Sequence, residues 1–242
     1  MDYPLIVYIL LFAIACLYSS VGHGGASGYL ALMGLYGVAS STAKPVALLL
    51  NCFVSVIAFL QFFSKGFFNL RLFLWLACIS VPMAYLGSQW ELSDVLYKKI
   101  LGALLLLTSV RFFMPMNKNT DTIIAPIHYV LLVGASIGFI SGLIGIGGGI
   151  LLSPLLIFFR WADVKTSAGI SALFIFVNSA SGLIGLSNKG IIWSTDMQWM
   201  LGVALAGGLV GSFFGARYVE NNKLKILLGM ALCIASLKLL FL

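Results

Sequence analysis

Two short glycine-rich runs hold the residue types best suited to chemistry in this chain. The first reads Val21-Gly22-His23-Gly24-Gly25-Ala26-Ser27-Gly28. The second reads Ile144-Gly145-Ile146-Gly147-Gly148-Gly149-Ile150, with Ser153-Pro154 just beyond it. Each glycine disfavours helix by about 1 kcal/mol relative to alanine, so a helix entering either run is expected to break there. A broken helix presents free N–H groups and a partial positive charge of roughly half an electron at its new N-terminus. Such an end binds anions without any basic side chain, and glycine lets the ligand approach because no Cβ intervenes. The chemistry implied is anion binding by backbone amides, from Gly22, Gly24 and Gly25 in one run and Gly145, Gly147, Gly148 and Gly149 in the other. Glycines in membrane helices also serve close packing, but two matched clusters inside overlong apolar segments favour a site.

Few side chains could complete such a site. Ser27 offers a hydroxyl beside the first run, and Asn51 and Asn178 place amides in the apolar spans that follow each run. Each amide could donate to a ligand oxygen or simply bridge helices. His23 stands where the second run has Ile146. It is either a structural hydrogen-bonding group or a titratable one that senses protons or pairs with an anion. Lys44 and Lys165 sit at span entrances, where snorkelling to the interface is the expected behaviour. A competing chemistry is intramembrane serine proteolysis, since Gly25-Ala26-Ser27-Gly28 has the Gly-x-Ser-Gly form. That reaction needs a histidine from another span to activate the serine, and the distant histidine, His128, falls at a predicted span boundary, while the second run has neither serine nor histidine at the matching places.

The elements that must position these residues are membrane helices. The chain has 242 residues, 61% hydrophobic and only 9% charged, against about 25% charge in an ordinary soluble domain. A water-soluble fold could not cover its surface with so few charges. The apolar segments around the two runs, Leu5 to Tyr36 and Ile127 to Phe159, are 32 and 33 residues long. As straight helix each would extend about 50 Å, too long for a hydrocarbon layer of about 30 Å, so each is expected to form a hairpin broken at its glycines. The fourteen Lys and Arg are scattered through loops and span ends, unlike the clustered face that nucleic-acid binding requires. The four cysteines lie inside apolar runs without metal-ligand spacing, so they read as small hydrophobes, and neither a metal nor a cofactor is expected. Without a basic leader, the first segment is expected to stay in the mature protein.

Further spans are predicted from Pro45 to Phe63, Leu70 to Leu86 (interrupted by Pro82), Ile100 to Met114, Ser167 to Leu186, Met197 to Phe214 and Leu224 to Leu242. Pro45 is suited to open its span, because a first-turn residue needs no N–H. The order of features repeats. Gly22, Gly24 and Gly25 fall on Gly145, Gly147 and Gly148 at an offset of 123, and Thr42, Ser55, Lys65, Gly66, Gly87 and Ser88 fall on Thr166, Ser179, Lys189, Gly190, Gly211 and Ser212 at 124. The domain organisation expected is a first half over 1–114, a linker over 115–126 and a second half over 127–242. With each broken segment a hairpin, the halves are inverted and the basic residues divide nine against five, with the nine cytoplasmic. A single broken crossing per segment gives parallel halves and a flatter division. The expected fold is thus an all-α polytopic membrane protein of two homologous halves, inverted, each a glycine-broken hairpin plus three transmembrane helices. Repeats with discontinuous helices meeting at the midplane are a recurring plan of secondary transporters.

Together, Gly145-Ile146-Gly147-Gly148-Gly149 with Pro154, the degenerate copy at Gly22, and the stretch from Thr166-Ser167-Ala168 to Asn178-Ser179 resemble the sulfite exporter TauE/SafE family, also called the four-toluene sulfonate uptake family. The likeness spans nearly the whole chain. It implies transport of a small sulfur-containing or organic anion, such as sulfite or a sulfonate, across a bacterial inner membrane. The first copy departs from the common triple glycine, having His23 and Ala26. The partners expected are the anion, the bilayer and protons as a candidate coupling ion, with the protein a monomer or homodimer. A passive anion channel is the alternative reading.

Overall fold

The computed structural model describes residues 4–20, 25–113, 122–187, 195–218, 230, 233–234 and 236–241. Among them there is helix and no strand. In chain order the helices are α1 (Leu5–Ser20), α2 (Ala26–Leu35), α3 (Ser40–Phe63), α4 (Leu70–Gln89), α5 (Asp94–Phe113), α6 (Ile127–Ile144), α7 (Gly149–Phe158), α8 (Val164–Ser187) and α9 (Thr195–Tyr218). Four of these, α3, α4, α6 and α8, are long and apolar enough to cross a bilayer. Large apolar side chains such as Leu107, Leu132 and Phe158 are exposed, while Asn51, Ser55, Ser80, Ser141, Asn178 and Ser179 are buried. Polar groups inside and hydrocarbon outside is the distribution a lipid solvent selects.

Both overlong segments break at their glycines. The first divides into α1 and α2, and the second into α6 and α7. The two short helices are alike: each has ten residues and starts after a glycine in the left-handed region, Gly25 (φ 73°) and Gly148 (φ 77°). A side chain at either position would oppose that conformation, so the glycine fixes where the helix restarts. The long helices after them, α3 and α8, each have 24 residues.

Prolines behave differently from the sequence expectation. Pro45 does not open its span, because α3 starts at Ser40 and carries the proline in its second turn. The carbonyl it cannot serve belongs to Ser41, at the exposed helix end, so the missing hydrogen bond is mild there. Pro82 does not interrupt α4. The carbonyl that Pro82 leaves without its intrahelical donor is that of Cys78; separately, Ser181 Oγ of α8 donates to Val81 O at 2.6 Å and ties the two helices together. Helix α5 begins six residues ahead of its predicted start.

The helices interlock across the chain. α4 packs on α6 and α8, and α9 packs on α1 and α3, while α3 and α8 lie against each other. On α6, Gly134, Gly138 and Gly142 form a seam facing Leu76, Ser80 and Ala84 of α4, so close that a Cβ at any of the three would strike α4 backbone. Small residues four apart bring two membrane helices into van der Waals contact. Helical residues near the C-terminus pack on α5, where Ser236 Oγ donates to Gly102 O at 2.8 Å.

Candidate functional site

The restart of α2 and the restart of α7 open onto one small cavity, lined by Gly25, Ala26, Ser27, Asn51, Ile146, Ile150 and Ile175. Its free space is close to the minimum that holds a single water molecule. At the α2 end, Gly28 N and Tyr29 N donate to Gly25 O at 3.0 and 3.1 Å. At the α7 end, Leu151 N and Leu152 N donate to Gly148 O at 3.1 and 3.0 Å. The N–H groups of Ala26 and Ser27, and those of Gly149 and Ile150, therefore lie ahead of the first bond of their helix ladders. Two helix N-termini contribute positive potential to one space, and every residue lining it is uncharged.

Asn51 enters from α3, where it is the twelfth of 24 residues and hence halfway across the span. It is fully buried, and neither its Nδ2 nor its Oδ1 has a hydrogen-bond partner. Ser27 Oγ and Ser179 Oγ are likewise buried and unpartnered. A buried polar atom left without a partner costs about 1–3 kcal/mol, and Asn51, Ser27 and Ser179 carry such atoms at or close to this cavity. Gly147 (φ 72°) keeps the place open, because a Cβ there would stand 2.6 Å from Asn51 Nδ2 and 2.9 Å from Ser179 Oγ.

The other sequence-nominated residues divide. Gly145 (φ 89°) caps α6, with its N–H donating to Ser141 O at 2.8 Å, and packs on Lys44. Gly148 faces Ile137, Phe174 and Ser141, while Gly149 faces Ile175 and Ser171 O. Asn178 is fully buried, but its Nδ2 donates to Phe174 O of its own helix at 2.9 Å and it does not line the cavity. Gly22, His23 and Gly24 lie outside the described residues. Lys44 does not snorkel: it is 6% exposed, with Nζ 5.0 Å from the centre of the Tyr97 ring. Lys165 remains exposed, with its Nζ 4.8 Å from the centre of the Phe67 ring. His128 is exposed at the start of α6 with its ring tilted against that of Tyr129, while Ser27 Oγ has no hydrogen-bond partner, so these two form no serine–histidine dyad.

Sequence reasoning missed Ser179 and the apolar lining. Ser179 had signals in its match to Ser55 across the repeat and its place beside Asn178, and Ile146 and Ile150 in lying within the second glycine run, whereas Ile175 had none among so many isoleucines.

Comparison with known proteins follows the same outline. The family model for the sulfite exporter TauE/SafE matches residues 7–239. A probable membrane transporter protein of Sinorhizobium fredii, y4hK, is 34% identical over 96% of both chains. The probable membrane transporter protein YdhB of Bacillus subtilis is 25% identical over 98% of this chain and all of its own. A probable membrane transporter protein of Xylella fastidiosa is 31% identical over 44% of this chain and 41% of its own. No solved structure matches.

Proposed function

Because the chain belongs to the sulfite exporter TauE/SafE family and is a multi-pass membrane transporter, we propose that it is a secondary carrier. Its substrate is a small sulfur-containing or organic anion crossing the bacterial inner membrane. The anion sits between the N-termini of α2 and α7, near the bilayer midplane. The observation that carries this reading is the shared cavity at the two helix restarts, with the unpartnered amide of Asn51 beside it.

Each residue then has a role. The first-turn N–H groups after Gly25 and Gly148 replace the water hydrogen bonds an anion sheds on entering. Asn51 Nδ2, Ser27 Oγ and Ser179 Oγ add donors of fixed position, and Gly147 holds the volume free. Gly22, His23 and Gly24 are nominated by the sequence alone, and Gly145, Gly148 and Gly149 shape the second restart. Asn178 supports the site through α8. Ile146, Ile150 and Ile175 limit size and lower the local dielectric, which strengthens each hydrogen bond. The space as it stands is close to that of one water, so admitting an anion requires the lining to move apart, and least so for a small oxyanion.

A duplicated architecture accounts for the paired features. The ten-residue helices with left-handed glycine starts, the two 24-residue helices, and the exchange of packing between α4 with α6 and α8 and α9 with α1 and α3 are what a twofold relation would produce.

The test is uptake of sulfite, thiosulfate and short sulfonates into proteoliposomes containing the purified protein. Saturable uptake of at least one, absent from protein-free vesicles, is expected. Accumulation against the anion's gradient under an imposed proton gradient identifies a proton-coupled carrier, whereas strictly downhill flux identifies a channel. No uptake of any panel member would overturn the anion reading.

A further inference from the structure

Among the described residues, Lys44 is the one buried basic side chain. An ammonium held inside a membrane protein is costly and is a functional candidate by default. Its surroundings are specific. The Cα, Cβ and Cγ of Lys44 lie 3.3, 3.4 and 3.4 Å from the point a Cβ on Gly145 would occupy, so the bare glycine of the second break receives the lysine stem. Its Nζ lies over Tyr97 of α5, and the Tyr97 hydroxyl donates to Ile144 O, the last residue of α6, at 3.2 Å. One turn further out on α3, Ser40 Oγ donates to the exposed carboxylate of Asp94 at 3.1 Å. Going inward, Lys44, Leu48 and Asn51 follow at helical spacing on one face of α3. Asn51 lies seven positions after Lys44, or about 10 Å along the axis. The lysine therefore stands between the exposed start of α3 and the midplane cavity.

A purely structural account is available: a cation near the C-terminal end of α6 is favourable. Two observations count against it as the whole account. Tyr97 already caps Ile144 O. In addition, Lys44 is the fifth residue of α3, and the fifth residue of the equally long α8 is Ala168, so a helix of this length following a glycine break forms without a lysine there.

We infer that Lys44 is a specificity-determining residue, the one buried basic side chain among the described residues, standing on the route between the cavity and the face where α3 begins. It selects anionic over neutral solutes and hands the anion to the amide donors further in. This rests on the anion-carrier reading and adds to it a side-chain charge that the cavity itself lacks.

The experiment measures sulfite uptake in proteoliposomes for the wild type, Lys44→Met, Lys44→Gln, Lys44→Arg and Asn51→Leu, with thermal unfolding in detergent for each. Loss of a charge-assisted contact should raise the half-saturating sulfite concentration about tenfold in the Met and Gln variants. The Arg variant should restore most of that affinity, and the unfolding midpoints should stay together. Asn51→Leu should abolish uptake. Unchanged half-saturation in Lys44→Met, with uptake still lost in Asn51→Leu, overturns the role of Lys44 alone. Failure of both neutral variants to fold, with only Lys44→Arg folding, marks a structural strut and also overturns it. A wild type that takes up no panel anion removes both the carrier reading and this one.

Discussion

A methyl group at position 147 would press on Asn51 Nδ2, Ser179 Oγ and Ile175 Cγ2 while the backbone sits at φ 72°. Both the space and the conformation there require glycine. Gly147→Val is therefore expected to reduce uptake to the protein-free background while the protein still elutes as a folded species in size-exclusion chromatography. Retained uptake would detach the cavity from transport. Gly66 provides the control. It shares the left-handed conformation (φ 76°), but a Cβ there meets nothing within 4 Å. Gly66→Ala should cost about 1 kcal/mol in backbone strain, read as a lowered unfolding midpoint, with uptake per folded molecule unchanged. Gly147 was legible in the sequence because it sits in a glycine run matched elsewhere in the chain. The burial of Ser179 and Lys44 was not, because it depends on which neighbour covers a residue. A lysine five residues into a span looks like an interface anchor until Gly145 and Tyr97 are seen to enclose it.

Within a single element, α6 and the break after it use glycine in two ways. Gly134, Gly138 and Gly142 lie on a helical face and admit α4, whereas Gly145, Gly147 and Gly148 adopt positive φ and end the helix. Gly138→Leu should force the α4–α6 seam apart and lower stability by about 1–3 kcal/mol or more, seen as a reduced unfolding midpoint. An unchanged midpoint would mean that the seam contributes little. The start of α8 carries a different device. Asp163 Oδ1 accepts from Lys165 N and Thr166 N, and its Oδ2 accepts from the Thr166 hydroxyl. Burial pushes the Asp163 carboxyl up, but the hydrogen bonds from the Thr166 side chain and from the backbone N–H groups of Thr166, Lys165 and Asp163 itself outweigh it and hold it below the usual carboxylate range. A group depressed in the folded state stabilises it above the unfolded pKa, and that contribution disappears as pH falls through the folded value. Asp163→Ala should thus lower stability by about 1 kcal/mol at neutral pH, and the gap to wild type should close on acidification below the carboxylate range. A gap that persists in acid would assign the loss to packing.

For the whole molecule, the testable matter is how the two broken segments are oriented. α4 lies against α6 and α8 as α9 lies against α1 and α3, a crossing-over that either a parallel or an inverted pair of halves could produce. Reporter fusions made after Lys65 and after Lys189 separate them. Opposite sides of the membrane are expected for inverted halves, and the same side for both would establish parallel ones. The sequence by itself determined the solvent, the order of the described helices, and the two points of breakage. Those follow from hydrophobic length and from the conformational preference of glycine, which act locally along the chain. Only the tertiary structure decided that both restarts face one cavity, that Asn51 lines it and Asn178 does not, and that Lys44 is enclosed. They depend largely on contacts between residues far apart in the chain, such as Lys44 with Tyr97 and Gly145 or Asn51 with Gly147, and no local preference specifies which distant surface will cover a given side chain.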